Sequence, residues 1–376
     1  MAEAVSQAKA AGSGQLACIR VRAPLDAEAK AGLQRQVSSM AQGSGDASVK
    51  AELPLPSWCA NTDHMDGAWW FTRRDACRMT TATYTVVDAQ TGALLGSMEY
   101  YQVEYANIPT SGLDTGYQIT ITPFRVKDLG LPTTLAAYGT CTQLCNLSPN
   151  PVPKALVLHQ GTTVDYRVTA TTSAPGARGV AWAEVDVRMY PPGGVGVRSS
   201  IEKSLGIRCD NQLIGITGAG CVFGGYEPLF YLDTDQADNP TYWLNALNVN
   251  WALYTGLPSK LTRHGDTAKS KQNGDRACPG GDPYIRPPGY ECDEYPFRST
   301  EEGAATSGTP FAPRTWNWCQ LNWPNTPIVN SYVGPEGWAR CNIPEGQNDE
   351  GGAALKTFYG NERVLAGDKF NVAAGP

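Results

Sequence analysis

The stretch YQVEY at residues 101–105 alternates one apolar side chain with one polar side chain. Such period-2 alternation is typical of an antiparallel strand that packs one face on a core and exposes the other to water. The same alternation recurs at residues 118–121, 164–170 and 184–189. We therefore predict antiparallel strands, each with one solvated face, from about Trp58 to Asp233.

Turn-forming residues separate these strands, as in TSGLDTG at 110–116, APGARG at 174–179 and PPGGVG at 191–196. Short strands with this punctuation indicate a β-sandwich. The composition agrees, because 40 glycines and 27 prolines in 376 residues are too many for a helical bundle, and 41% hydrophobic residues are too many for disorder.

The charge balance limits the kind of nucleic-acid site that the chain can carry. Thirty basic and 36 acidic residues give a net charge of −6. This excludes binding through bulk positive charge, so a nucleic-acid site would have to be local or built on a metal ion. No apolar run reaches the roughly 18 residues of a transmembrane helix, and we expect no membrane partner.

Cysteine spacing favours disulfides over zinc. Ten of the eleven cysteines fall into sequential pairs, with Cys18 left over, whereas no CxxC pair occurs and the three histidines lie far apart. Disulfides imply an oxidising compartment, although connectivity cannot be fixed from sequence. The predicted pairs are Cys59–Cys77, Cys141–Cys145, Cys209–Cys221, Cys278–Cys292 and Cys319–Cys341.

The sequence also predicts two helices and one polar segment. Residues 24–40 predict a short helix, followed by a linker at 41–54. Trp243, Leu247 and Trp251 recur at helical spacing in a stretch that Gly256 ends, which predicts an amphipathic core helix over about 240–255. The basic segment at 259–276 is either a solvated linker or an arm that contacts phosphate.

The candidate catalytic residues lie after Cys278, in CDEYPFRSTEEGA at 292–304. Asp293 and Glu294 are adjacent and would face opposite ways on a strand. Glu301 and Glu302 bring the number of carboxylates in this short stretch to four. Such a cluster is either a solvated turn or a site at which a hard divalent cation compensates the repulsion.

Three blocks in order resemble the secreted bacterial deoxyribonucleases of the NucA/NucB type. They are CDEYPFRSTEEGA at 292–304, NIPEGQNDEGGAAL at 342–355 and FYGNERVLAGDKFNV at 358–372. The resemblance covers about residues 275–372. The β-rich region before it is more loosely similar to the accessory region that precedes this nuclease domain in actinobacterial secreted proteins.

The resemblance implies a small α+β domain with a ββα-metal (His-Me finger-like) core. Asp293 and Glu294 match the acidic pair, Glu302 matches the acidic residue before glycine, and Asn348 matches a metal-binding helix asparagine. Mg²⁺ or Mn²⁺ would be held by Asp293, Asn348 and Glu302. Asp293 or Glu294 would act as general base, because no histidine follows His264, the alternative base.

Either arginine of the matched blocks, Arg298 or Arg363, would neutralise the phosphorane, although Arg363 would equally pair with Asp368. The predicted function is therefore a metal-dependent, nonspecific endodeoxyribonuclease. The alternative is a secreted, non-catalytic protein that binds carbohydrate or a protein partner and has a structural C-terminal domain.

The predicted organisation is an N-terminal helix and linker at 1–54, a β-sandwich accessory domain at 55–238 and a nuclease domain at 239–376. We expect an extracellular protein whose signal peptide is not present in this chain, acting as a scavenging nuclease or as an antibacterial toxin with an immunity protein as partner.

A fragment beginning near Gly256 should keep nuclease activity, or one beginning near residue 239 if the helix packs on the nuclease core.

Overall fold

The computed structural model describes fifteen segments of the chain. They are residues 14–22, 27–41, 55–109, 112–128, 133–142, 145–148, 152–156, 164–172, 179–190, 197–198, 206–211, 218–279, 286–306, 313–319 and 333–376.

The chain divides into two compact units, one made of Met1–Gln212 with Thr217–Tyr226 and the other of Leu213–Ile216 with Glu227–Pro376. Sequence analysis placed this division after residue 238. The structure places it earlier because the strand Leu229–Asp233 pairs in parallel with the C-terminal strand Lys369–Gly375. It therefore belongs to the second unit.

Among its described residues, the first unit holds one α-helix, α1 (Ala27–Ala41), two short 3₁₀ helices (Ser57–Ala60 and Thr62–His64) and thirteen strands. The strands are β1 (Gln15–Arg22), β2 (Trp70–Phe71), β3 (Asp75–Asp88), β4 (Leu94–Asn107), β5 (Asp114–Lys127), β6 (Thr133–Thr142), β7 (Cys145–Ser148), β8 (Val152–Leu156), β9 (Val164–Thr172), β10 (Gly179–Tyr190), β11 (Val197–Arg198), β12 (Gly206–Asp210) and β13 (Gly220–Phe223).

These strands form two sheets. One has the order β1-β3-β4-β5-β9-β7 with β2 beside β3, and the other has the order β13-β12-β10-β6-β8 with β11 beside β10. Tyr84, Tyr100 and Ile121 of the first sheet share one buried cluster with Ile207 and Phe223 of the second. The predicted mainly β character is confirmed, and the two sheets contribute to one buried cluster.

The prediction that each strand has a solvated face is wrong for β4. Tyr101, Val103 and Tyr105 are buried with Leu33 and Val37 of α1, which covers this face of the sheet. The polar residues between them are also buried, and the Gln102 amide donates to the Glu104 carboxylate at 2.6 Å. The alternation of apolar and polar residues in β4 therefore corresponds to two buried faces, one apolar and one polar. The helix itself agrees closely with the predicted span of 24–40, whereas β1 was not predicted.

The second unit has a three-stranded sheet of order β14-β18-β15 and a two-stranded antiparallel sheet of β16 and β17. Its helix α2 confirms that the predicted helix exists, but the predicted buried face is wrong, because Trp251 is 43% exposed and the buried residues are Asn245, Ala246, Asn248, Val249 and Ala252. The segment at 259–276, for which a linker was one interpretation, forms a strand and a helix. The elements are β14 (Leu229–Asp233), α2 (Trp243–Tyr254), β15 (Lys260–Thr262), α3 (Thr267–Ala277), β16 (Tyr290–Tyr295), β17 (Ala339–Pro344), α4 (Glu345–Asn361) and β18 (Lys369–Gly375).

Candidate active site

The strand pair β16–β17 leads directly into α4, and this arrangement places the acidic residues of the second unit. Asp293 lies opposite Cys341, and Glu294 lies opposite Arg340, in the register of the two strands. α4 begins at Glu345, immediately after β17 ends, so Asn348 lies in its first turn. Two strands and the following helix therefore bring residues from two of the three matched sequence blocks to one region.

Asp293 is a buried carboxylate whose two oxygens both accept hydrogen bonds from α2. The Asn245 amide donates to Oδ1 and the Asn248 amide donates to Oδ2, each at 2.8 Å. Burial raises the pKa of Asp293 to about 8, and the negative charge of Glu294 adds to this, whereas the two amide bonds act in the opposite direction. Amide donors favour a carboxylate anion but do not neutralise it, so the site would accept a cation.

Glu294 carries a second carboxyl group, which is 16% exposed and has a different partner. Burial raises its pKa, and the positive charge of Arg298 opposes that effect. The Arg298 Nε atom lies 3.9 Å from Glu294 Oε1, and the arginine side chain is 67% exposed. Arg298 is therefore free to contact a ligand in solution while it faces Glu294.

Glu291 is a third carboxylate of β16, two residues before Asp293 and therefore on the same side of the strand. Its Oε2 accepts a hydrogen bond of 2.7 Å from the Asn348 amide of α4. This bond links the helix to the strand at the point where both face a cavity. Carboxylate and amide oxygens are ligands that hard divalent cations accept, so Glu291, Asp293 and Asn348 fit a Mg²⁺-like ion.

The cavity has a volume of about 780 Å³ and lies wholly within the second unit. Glu291, Asp293, Glu294 and Asn348 are among its lining residues. Its basic lining residues are Arg263, Lys271, Arg286, Arg298 and Lys356. An acidic cluster flanked by basic side chains can hold a cation and also contact phosphate, despite the net negative charge of the chain.

The structure brings four of the predicted site residues into this cavity, namely Asp293, Glu294, Arg298 and Asn348. Glu302 and Arg363 are not among its lining residues. The Glu302 carboxylate instead accepts a hydrogen bond of 2.9 Å from the backbone N–H of Thr262, at the end of β15. Arg363 is 2% exposed, with a left-handed φ of 46°, in the turn after α4. Their predicted roles do not agree with these positions, because neither side chain lies where a ligand in the cavity would meet it.

Sequence reasoning missed Glu291, Asn245 and Asn248. The alternation of β16 was a signal for Glu291, since it shares a face with Asp293. His264, considered only as an alternative base, lines the cavity and is 6% exposed. Its Nε2 lies 3.0 Å from the Arg298 carbonyl. Because a carbonyl only accepts, this contact places a proton on Nε2.

Disulfides bracket Asp293 on both strands. Cys292, immediately before Asp293, pairs with Cys278 after α3, and Cys341, opposite Asp293, pairs with Cys319. These two bridges, together with Cys59–Cys77 and Cys209–Cys221, confirm four of the predicted pairs. Cys141–Cys145 lies outside the residues whose side chains are described, and Cys18 is unpaired among those that are. The bridges fit an oxidising compartment.

Removal of the Cys319–Cys341 bridge should destabilise the second unit selectively. Replacing both cysteines with serine should lower its free energy of unfolding by about 3 kcal/mol, since the bridge closes a loop over a sequence separation of 22 residues. Denaturant unfolding of full-length variants would measure this. The matched control, Cys209→Ser with Cys221→Ser, should destabilise only the first unit. Equal effects of both double variants on the second unit would contradict the assignment.

The raised pKa of Asp293 predicts how stability depends on pH without metal. The unfolded chain ionises this group near pH 4, whereas the folded chain retains the proton up to about pH 8. Its contribution to stability therefore falls as pH rises through this window and is constant above it. Thermal melts in chelator at pH 5 and pH 8 should show a larger loss for the wild type than for Asp293→Ala, by up to about 4 kcal/mol. An equal loss would place the titration elsewhere.

Two absences concern the described part of the chain alone. It holds no group of three or more histidine, cysteine, aspartate or glutamate side chains arranged to bind a metal ion. Magnesium is nevertheless commonly bound through one or two carboxylates, water and substrate phosphate. Among the described helices, none is long and apolar enough to cross a membrane.

Comparison with known proteins gives little further information. No protein-family model matches the chain, and no curated protein matches it. A solved structure, the native conformation of Escherichia coli alpha-2-macroglobulin, matches with 16% identity and a TM-score of 0.19. The match covers 34% of this chain and 8% of that chain. A similarity this low bears on neither the fold nor the function.

Proposed function

We propose that the second unit is a metal-dependent endonuclease of the NucA/NucB type that hydrolyses DNA phosphodiester bonds. The observation that carries the proposal is the buried carboxylate of Asp293, hydrogen-bonded on both oxygens, in a cavity shared with Glu294, Glu291 and Asn348. The order strand, strand, helix agrees with the core that the sequence resemblance implies. The metal-binding ββα core and the family itself remain part of the proposal.

The cavity residues fit a divalent cation, which is the cofactor that the resemblance implies. Glu291 and Asn348 are joined by a hydrogen bond of 2.7 Å and would hold the ion together, with Asp293 on the same side of the strand. Glu291 takes the place that sequence analysis gave to Glu302. When bound, Mg²⁺ or Mn²⁺ would supply positive charge to phosphate oxygens.

The residues of the chain would divide the remaining work between them. Asp293 would accept the proton of the attacking water, because its carboxylate lines the cavity and is held there by the Asn245 and Asn248 amides. Arg298, which is exposed and faces Glu294, would contact the phosphate as negative charge develops on it. Lys271, Arg286 and Lys356 would bind neighbouring phosphates of the strand.

Cleavage of supercoiled plasmid tests the proposal. The full-length protein should convert it to nicked and linear forms with Mg²⁺ or Mn²⁺, and a chelator should abolish the reaction. Parallel assays with single-stranded DNA and with RNA would establish the preferred substrate. No cleavage with either ion would overturn the proposal and favour a non-catalytic binding protein.

The disulfides support an extracellular site of action, for the protein as a scavenging nuclease or as a delivered toxin. Expression of the second unit in a bacterial cytoplasm separates the two roles, provided that a strain permissive for disulfides is used. A toxin should stop growth in a manner that depends on Asp293. Normal growth with active, folded protein in the lysate would favour the scavenging role.

A further inference from the structure

Two asparagines of α2 lie three residues apart, on one face of the helix, and both contact Asp293. Asn245 is 5% exposed and Asn248 is fully buried. Asparagine is a poor residue for a helix interior, and a buried amide costs free energy unless it is hydrogen-bonded. The two bonds to the Asp293 carboxylate satisfy this requirement, so this face of the helix is polar where it meets β16.

Trp316 fixes the direction of one of these amides. Its indole Nε1 donates to Asn248 Oδ1 at 2.8 Å. An indole N–H can only donate, so the oxygen of the amide must face Trp316 and the nitrogen must face Asp293. The Asn248 side chain therefore cannot turn over without losing both bonds. Trp316 itself is buried in the apolar core of the unit.

Gly351 of α4 allows the second amide to occupy its place. A Cβ atom added to this glycine would lie 2.6 Å from Asn245 Cγ, which is closer than van der Waals contact permits. The Asn245 amide therefore lies between the backbone of α4 and the carboxylate of Asp293. Because α4 also carries Asn348, the packing of Asn245 against Gly351 holds Asp293 and Asn348 in a defined position relative to each other.

We propose that Asn245, Asn248 and Trp316 are positioning residues of the nuclease reaction, which hold the Asp293 carboxylate in one orientation toward the cavity. Each carboxylate oxygen has more than one acceptor position, and the two amides occupy one on each oxygen. The Glu294 backbone also hydrogen-bonds to this carboxylate, and a ligand in the cavity that Asp293 lines would use the acceptor capacity that remains. This inference rests on the proposed function, and it adds residues outside the matched sequence blocks.

Steady-state cleavage by full-length variants tests the inference. Asn245→Ala and Asn248→Ala should lower kcat by about 10- to 100-fold, the range typical of residues that orient a catalytic group, with KM within about twofold. Asn248→Asp should lower it as much as alanine does. It keeps the size and the acceptor for Trp316 but loses the donor to Asp293. Trp316→Phe removes the indole donor together with part of the ring volume, and it should lower kcat about fivefold.

Asn239 provides the matched control. It is a buried asparagine of the same unit, its amide donates to the Asp233 carbonyl, and it does not line the cavity. Asn239→Ala should lower the melting temperature but leave kcat unchanged. An active wild type whose Asn245 and Asn248 variants cut within twofold of it would overturn this inference alone. This inference would also be overturned if the loss of kcat followed the loss of melting temperature across all variants. An inactive wild type would overturn the proposed function and this inference together.

Discussion

Replacing Asp293 with alanine should slow DNA cleavage by at least about 1000-fold. The variant loses the general base, which is the group that accepts the proton of the attacking water. The variant also leaves the Asn245 and Asn248 amides without their acceptor. Plasmid cleavage under saturating Mg²⁺ would measure the loss. Circular dichroism and thermal melts would show that the fold is retained.

Glu302→Gln is the control for this variant. It also removes a carboxylate that the sequence resemblance favoured, but Glu302 accepts a backbone hydrogen bond from Thr262 and does not line the cavity. Glutamine keeps an acceptor oxygen there. We expect cleavage within about threefold of wild type. A large loss for Glu302→Gln together with normal cleavage by Asp293→Ala would show that catalysis depends on Glu302 and not on Asp293.

A fragment made of Glu227–Pro376 should fold and retain metal-dependent cleavage, whereas one that begins at Gly256 should be inactive. The longer fragment keeps β14, which pairs with β18, and α2, which supplies Asn245 and Asn248. The shorter fragment, which sequence analysis favoured, loses both elements. It would expose the apolar residues that α2 covers and should aggregate. The complementary fragment that ends at Tyr226 should cut nothing.

Comparing the specific activities of these fragments with that of the full chain checks the prediction. Activity confined to the full chain would make the first unit part of the enzyme. Activity of the Gly256 fragment would show that the α2 asparagines are dispensable.

The helix α2 shows what the sequence could and could not provide. Trp243, Leu247 and Trp251 at helical spacing predicted its existence and limits closely. They did not predict its buried face, since Trp251 is 43% exposed and both asparagines are buried. The functions of Asn245 and Asn248 were not visible. Asp293 lies 48 and 45 residues further along the chain, and only tertiary packing brings it to the helix.

The carboxylates of β16 show the same limit. Resemblance selected Asp293 and Glu294, which line the cavity, but also Glu302, which does not. The turn after β16 directs Glu302 to the backbone of β15. Glu291 was accessible to period-2 reasoning once Asp293 was placed on a strand. It was passed over because it precedes the matched block.

In the first unit, alternation located the strands correctly but not their surroundings. Tyr101 and Val103 of β4 predicted a strand with one solvated face, and the structure covers both faces. The covering helix α1 was itself predicted. Its docking on β4 depends on Gly32, where a Cβ would collide with the Tyr101 hydroxyl, and no periodic pattern expresses such a contact.

Anomalous diffraction from crystals of the full-length protein soaked in Mn²⁺ tests most directly whether this cavity is a metal-dependent nuclease centre. We predict a manganese peak in the cavity, within about 2.5 Å of a side-chain oxygen of Glu291, Asp293 or Asn348. The same soak of Asn348→Ala crystals should weaken or remove it. An enzyme that cuts plasmid with Mn²⁺ but whose only manganese peaks lie outside the cavity would contradict the assignment.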